Sequence, residues 1–303
     1  MEKSIPRKKK MSKAKKRAAI CGYLFAAPWI IGFLAFTLYP MLSSLYYSFT
    51  NYNLANQADW IGLTNYEIIF TSDKLIPIAV YNTLYYAILS VPLTLIIGLS
   101  IAMLLNQKVK GIGLIRTIYY LPNVISVVAT TMLWQFIFQN NGLLNSFLSL
   151  FGINGPGWLT DPSVSKITLV LMDTWNAGGA MIIYLAGLQG IPRRYYEAAD
   201  IDGAGSIRKF FSITLPLLMP SILFNLIMGI IGSLQTFSQS FIMTNGGPAN
   251  STMFYMLALY KRAFSDMQMG YACAMAWVFL IPTVLIALIV FKLLGNKVHY
   301  ETN

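Results

Sequence analysis

The sequence predicts an all-α membrane protein with six transmembrane helices, and three observations carry that expectation. Hydrophobic residues fill 56% of the 303 positions and charged residues 11%, against roughly a quarter charged in a soluble domain. The apolar residues gather into six stretches of bilayer-crossing length. The basic residues between those stretches fall almost entirely on one side. A large soluble core would need polar faces on the same helices, which these stretches lack.

The stretches run approximately over residues 19–49, 78–105, 117–138, 167–189, 217–243 and 271–294. They make one membrane domain, 19–294, between a basic tail at 1–18 and a short tail at 295–303. The first is rich in aromatics and ends near Tyr39-Pro40 and Tyr46-Tyr47, as in an interfacial belt. Residues 51–75, with Trp60 to Tyr66, mix polar and aromatic character and suit a surface on the membrane face. The second span is expected to be interrupted by Pro92 and Gly98. Residues 140–166 read as turns, at Asn154 to Trp158 and Asp161-Pro162, around a short amphipathic helix at 143–151. Thr244-Asn245-Gly246-Gly247-Pro248 opens the last such segment with a strong turn.

Of the 22 Lys and Arg residues, 18 lie on one side. The N-terminal tail holds Lys3, Arg7, Lys8, Lys9, Lys10, Lys13, Lys15, Lys16 and Arg17. Lys108, Lys110, Arg116, Arg193, Arg194, Arg208, Lys209, Lys292 and Lys297 complete the set. Lys74, Lys166, Lys261 and Arg262 face the other way. The bias places both termini in the cytoplasm. The net charge of +11 then reflects attraction to anionic lipid beside the first span. No aromatic interleaving or DNA-binding motif accompanies it, so nucleic acid is not an expected partner. The basic run before an apolar segment resembles a signal peptide, but the segment exceeds an h-region and reads as an uncleaved span. Cys21 and Cys273 lie in different spans and imply neither a disulfide framework nor a metal site. His299 lies in the tail and is assigned no role.

Residues 191–214 stand out as a charged segment in a greasy chain. They hold Glu197, Asp200 and Asp202 with Arg193, Arg194, Arg208 and Lys209. Pro192 suits a first helical turn, and Glu197, Ile201 and Ala204 recur at i, i+4 and i+7 on one face. Gly203 and Gly205 break that helix as C-cap glycines do. A second short helix over 206–214 is expected to close at Pro216. The bland reading is a solvated connector that needs no partner.

Polar residues inside spans are the other clue, because hydrocarbon penalises them. Asn225, Gly229, Gly232, Ser233, Thr236 and Ser240 form one stripe of the fifth span, with Gln235 and Gln239 beside it. Two readings stand: close helix packing, or the wall of a polar passage. The fourth span carries Asp173, Trp175, Asn176 and Gly178-Gly179. Trp175 and Asn176 suit stacking on, and hydrogen bonding to, a sugar ring. The chain lacks a G-x-x-x-x-G-K-[ST] loop, an H-E-x-x-H pair and a Ser/His/Asp set. Its spans hold no acidic ladder for ion coupling. Uphill transport would therefore draw its energy from a partner.

Glu197-Ala198-Ala199, Gly203 and Ile213-Thr214-Leu215-Pro216 spell E-A-A-x(3)-G-x(9)-I-x-L-P without a gap. This resembles the EAA signature of permease subunits of bacterial ATP-binding-cassette importers. Ala186 to Gln189, Pro220, Gly62 to Tyr66 and Thr244 to Pro248 are similar to the carbohydrate branch related to the maltose permeases. The likeness extends over nearly the whole chain beyond about residue 18. It implies a type I importer fold in the bacterial cell membrane, with a second permease, two cytoplasmic ATPase subunits and an external solute-binding protein. ATP and magnesium would sit on the ATPase subunits and no cofactor on this chain, which would not itself be an enzyme. The loop would dock through Glu197, Ala198, Ala199, Asp202, Gly203 and Ala204. In that arrangement Glu197 would pair with a basic residue, Gly203 would allow the turn, and the alanines would pack closely. A carbohydrate would pass Asp173, Trp175, Asn176, Ser233, Gln235, Thr236 and Phe237. Other readings are a glycerol-phosphate importer, a non-transporting scaffold, and a membrane enzyme acting on lipid-linked sugar. An enzyme would need more than Asp173, and a scaffold would not need the polar stripe.

Overall fold

The structure is a computed structural model and describes residues 13–55, 57–107 and 110–295. The first twelve residues of the basic tail, Lys108, Lys297 and His299 lie outside the described residues. The described elements are helical, apart from one isolated bridge between Thr50 and Trp60.

Helix α1 (Lys13–Phe33) passes through a π-helical turn (Leu34–Leu38) into α2 (Tyr39–Ser48). A short α3 (Thr64–Thr71) leads to the long α4 (Leu75–Leu105). Then come α5 (Ile112–Tyr120), α6 (Val127–Ile137), the short α7 (Leu143–Ser149), α8 (Ser165–Thr174) and α9 (Gly178–Gly190). The polar loop forms α10 (Arg193–Ile201) and α11 (Ser206–Lys209). Helices α12 (Leu215–Leu217), α13 (Met219–Leu234), α14 (Ser238–Met243), α15 (Tyr255–Tyr260) and α16 (Met269–Gly295) complete the chain. Among the described residues five helical segments are long and apolar enough to cross a membrane, and α5 with α6 makes a sixth if counted together.

Helix α4 is the central strut and packs against α8, α9, α13 and α15. Three apolar clusters follow it in order. Ile76 and Ala79 meet Tyr255, Leu257 and Met275 at the end opposite the polar loop, hereafter the far end. Tyr86 meets Phe138, Leu169, Met172 and Phe254 in the middle. Ala102 and Leu105 meet Met181, Tyr184 and Leu218 at the loop end. Contrary to expectation, Pro92 and Gly98 do not interrupt this span. A Cβ at Gly98 would lie 3.1 Å from the Ala180 Cβ and 3.2 Å from the Ala177 carbonyl oxygen. Gly98 therefore permits a close helix crossing, a common use of glycine in membranes.

Two spans expected to be continuous are broken, and a 3-10 turn (Trp175–Ala177) interrupts the α-helix of a third. Residues 117–138 divide between α5 and α6, which meet at 91°. Pro122 supplies no N–H, and Ser126 is extended at φ −54°, ψ 131°. The fifth span breaks between α13 and α14, where Phe237 leaves the helical region at φ −139°, ψ −60°. At the loop, Pro192 is the N-cap of α10 rather than its first residue. Pro216 does not close the second loop helix. A π-helical turn (Phe210–Thr214) carries α11 into α12, with Leu215 N–H bonding Phe210 O.

The far end is stapled by Asp73. Arg262 Nη2 donates to its Oδ2 at 2.8 Å, and Tyr271 Oη donates to the same atom at 2.8 Å. Gly270 N–H reaches Tyr52 O at 2.8 Å, and a Cβ there would sit 2.2 Å from Thr50 O. The segment following α2 is thereby locked to the starts of α4 and α16. Burial lifts the Asp73 carboxyl, but the Leu75 N–H, the Tyr271 hydroxyl and Arg262 outweigh it and hold it below the ordinary range. A depressed folded-state value stabilises above the unfolded value of about 3.9; that stability disappears as pH falls through the folded value. Thermal unfolding of wild type should therefore lose midpoint more steeply than Asp73→Asn as pH falls below about 4; parallel curves would remove this role.

Candidate functional site: a junction of interrupted helices

Three helix interruptions meet in the part of the bundle toward the far end. They are the 3-10 turn Leu121–Asn123, the 3-10 turn Trp175–Ala177, and residues 235–237. Helical arithmetic puts Trp175 about 15 Å along its span from Ser165, with Thr236 about 10 Å from Met243. In hydrocarbon the backbone groups freed by a break must find partners within the protein.

Asn123 supplies them. With its amide oriented to satisfy both contacts, its nitrogen donates to Asn176 O at 3.1 Å and its oxygen accepts from Gly179 N–H at 3.1 Å. Gly178 lets the two chains approach, since a Cβ there would lie 2.1 Å from Tyr119 O. One side chain on the third span thus closes the backbone of the fourth.

A polar group assembles beside this contact. Gln239 Oε1 accepts from Tyr86 Oη at 3.0 Å and from Thr236 Oγ1 at 2.9 Å. The Asp173 carboxylate faces Asn176, Gln239 and Tyr86. A cavity of about 190 Å³ is lined here by Asn123, Thr130, Asn176 and Gln239. A larger, mostly apolar cavity of about 570 Å³ adjoins Pro122 and carries Trp134 and Trp175. The two indoles meet edge to face at 5.6 Å and 80°. Hydroxyl, amide and carboxylate groups beside exposed aromatic faces can hold a polyhydroxylated molecule.

The structure brings Asp173, Asn176 and Thr236 into this group, with Trp175 half-exposed beside it. Ser233 is buried and donates to Ile230 O of its own helix. Gln235 is exposed, and Phe237 stacks on Phe241 and meets Tyr260 at a tilt instead. The stripe therefore divides. Asn225 reaches Ala180 O, Gly229 faces Val91, and Ser240 bonds Thr252 O, all packing contacts. Tyr86, Asn123 and Thr130 join the site without having been singled out. Only the dipeptide Pro122-Asn123 offered a signal.

At the other end, α10 finishes in a Schellman motif. Ala204 N–H bonds Ala199 O at 2.9 Å, Gly203 N–H bonds Asp200 O at 3.1 Å, and Gly203 has φ +70°. Tyr196 Oη and Thr214 Oγ1 lie 2.9 Å apart, and Lys209 pairs with Asp200, tying the two loop helices together. Glu197, Ala198, Asp202 and Gly203 are exposed, and Ala199 and Ala204 are half-buried. Ile201 is 88% exposed and Ile207 77%, joined by Phe211.

These features define a polytopic helical membrane protein with a broken-helix junction and a rigid polar loop at one end. Residues 91–300 match the family described as "Binding-protein-dependent transport system inner membrane component". The chain belongs to that family and is a permease component residing in the inner membrane. It is 44% identical over 297 residues to the "Probable ABC transporter permease protein YesP" of Bacillus subtilis (strain 168), covering 97% of this chain and 96% of that one. It is 33% identical over 279 residues to the "Arabinooligosaccharides transport system permease protein AraP" of the same organism, covering 90% and 88%. A chain in the crystal structure of a bacterial alginate ABC transporter, in complex with alginate pentasaccharide-bound periplasmic protein, superposes with a TM-score of 0.80 at 25% identity. That match covers 92% of this chain and 95% of the other. The type I importer fold expected from the EAA signature is the fold found.

Asn123→Ala should destabilise the protein by about 2 kcal/mol, because both its backbone partners lose their bonds inside the membrane. Gly178→Ala should cost about 1–3 kcal/mol through the Tyr119 clash, whereas Gly190→Ala, with open space around it, should stay within about 0.5 kcal/mol. Thermal unfolding in detergent measures all three.

Proposed function

We propose that this chain passes a saccharide, delivered by an external solute-binding protein, through a passage shared with a second permease. The observation that carries the coupling half of this reading is the loop's bare apolar edge. Ile201, Ile207 and Phe211 are exposed on a loop whose inner face is already closed by its own hydrogen bonds and ion pair. Exposed apolar groups of this kind mark a partner's groove. Two ATPase subunits, carrying ATP and magnesium, supply that groove and the energy. The basic loop end then lies in the cytoplasm, together with both termini. Glu197 pairs with a basic group of the ATPase, Ala198, Ala199, Asp202 and Ala204 form the fitted surface, and Gly203 sets its angle.

The substrate class rests on the junction and on the relatives. Asp173, Asn176, Thr236, Gln239 and Tyr86 present neutral and acidic hydrogen-bonding groups beside Trp175. Lys166 and Arg116, near span ends, bond Asn82 and Leu105 O and stand away from them. A phosphorylated polyol would find no cation there, so a sugar or oligosaccharide fits better than glycerol phosphate. The relatives' names, arabinooligosaccharides and alginate, point the same way.

Glu197→Lys, Gly203→Asp and Ile201→Asp should each lose co-purification with the cytoplasmic ATPase and abolish uptake. Asp at 203 puts a side chain and a charge into the exposed turn where glycine presents bare backbone, a charge at Ile201 opposes an apolar groove, and Lys at 197 repels a basic partner. Retained assembly and transport in all three would exclude this docking surface.

A further inference from the structure

We propose that Lys166, Tyr81 and Tyr85 form a site for the phosphate of a membrane phospholipid, where α4 and α8 meet at the far end. The site is separate from the junction and does not depend on what the importer carries.

Lys166 is the second residue of α8 and of the span that α8 begins. A cation in the first turn of a helix opposes the helix dipole, whose positive end lies there. At the edge of a bilayer such a charge calls for a counter-ion. Among the described residues no carboxylate pairs with Lys166. Asp161, the nearest acid along the chain, accepts instead from the Ser163 N–H at 2.8 Å and the Ser163 hydroxyl at 2.7 Å.

The ammonium is nonetheless held in one place. Its Nζ donates to Asn82 Oδ1 at 3.2 Å and stands 4.8 Å from the ring centres of both Tyr81 and Tyr85. Asn82 is buried, and its own Nδ2 donates to Asn250 O at 2.8 Å and to Met253 O at 3.1 Å. The buried amide thus sets where the charge sits, and the two ring faces offset part of it. The outward side stays open. Tyr81 is 61% exposed, and neither tyrosine hydroxyl makes a hydrogen bond among the described residues. An ammonium and two phenols therefore offer donors around one spot at a membrane boundary, where an anionic phosphodiester accepts strongly. Ile88 and Leu89 on α4, with Ile167 and Leu171 on α8, continue the exposed surface inward and give acyl chains an apolar wall. A soluble phosphate has no use for that wall, which favours lipid as the source of the anion. A choline headgroup would set its own cation beside Lys166, so phosphatidylglycerol fits better than phosphatidylcholine.

The test uses the assembled importer, delipidated in detergent and read by native mass spectrometry as lipid is added back. Wild type should bind one phosphatidylglycerol about tenfold more tightly than phosphatidylcholine. Lys166→Gln should weaken that site about tenfold, the effect of one lost charged hydrogen bond. Tyr81→Phe/Tyr85→Phe keeps both rings and should weaken it about threefold; it reads the site even where Lys166→Gln fails to assemble. Lys74→Gln, at an exposed lysine of the same end, should leave binding unchanged. Undiminished binding in either assembled site variant overturns the proposal, as does an equal loss in Lys74→Gln. A wild-type complex that holds no phosphatidylglycerol overturns it too, the outcome expected where the second permease covers this face. Inorganic phosphate binding as tightly as the lipid would mark a free-anion site and overturn the lipid assignment.

Discussion

The contact on which the site depends is the pair of bonds from Asn123 to the backbone at Asn176 and Gly179. A helix may be broken inside a bilayer only where protein replaces the lost backbone partners. Here the break in the third span is what closes the one in the fourth. The carboxamide reaches across because Gly178 lets Tyr119 O come within van der Waals range. Asp173, Asn176 and Trp175 then stand beside Gln239 and Thr236 of the fifth span.

A second constraint operates at each end. The Asp73, Arg262 and Tyr271 staple ties the segment between α2 and α4 to α16 at the far end. At the loop end, the Tyr196 and Asp200 contacts bind α10 to α11, and the π-helical turn after Lys209 carries α11 directly toward α13. In the docking role proposed above, a push on Ile201 and Glu197 would pass through these contacts into α13, at whose far end Thr236 stands. A flexible connector could not do this. In the proposed docking, the exposed apolar groups would meet the partner and the Schellman turn at Gly203 would set the angle at which they are presented.

Much of this was legible in the sequence. The spans follow from hydropathy, because the bilayer imposes it on composition, while the Lys and Arg bias gives an expected sidedness. The first loop helix was readable from the Glu197–Ile201 spacing and Gly203, which are local signals, whereas Pro192 and Pro216 were misplaced because a π-helical turn carries the second helix onward. The breaks were not. Residues 121–128 are as apolar as a helix would be, and only Pro122-Asn123 marks the bend. Pro92 gave the opposite error, because neighbouring helices support α4 across it. Tyr86 and Gln239 could not be paired from sequence, being 153 residues apart. Ser233 and Phe237 look like passage residues on a regular helix, and the break at 235–237 turns Phe237 toward Tyr260.

The central claim is that loop and junction move as one when the ATPase works. It is tested most directly by placing a thiol at Thr236, in a chain with Cys21 and Cys273 replaced, inside the assembled importer in sealed vesicles. A membrane-impermeant thiol reagent is applied from one face, with the ATPase either nucleotide-free or trapped by ATP and vanadate. The account requires labelling from the cytoplasmic face in one state and from the outer face in the other. Labelling that is the same in both states, or that never occurs from either face, would contradict it.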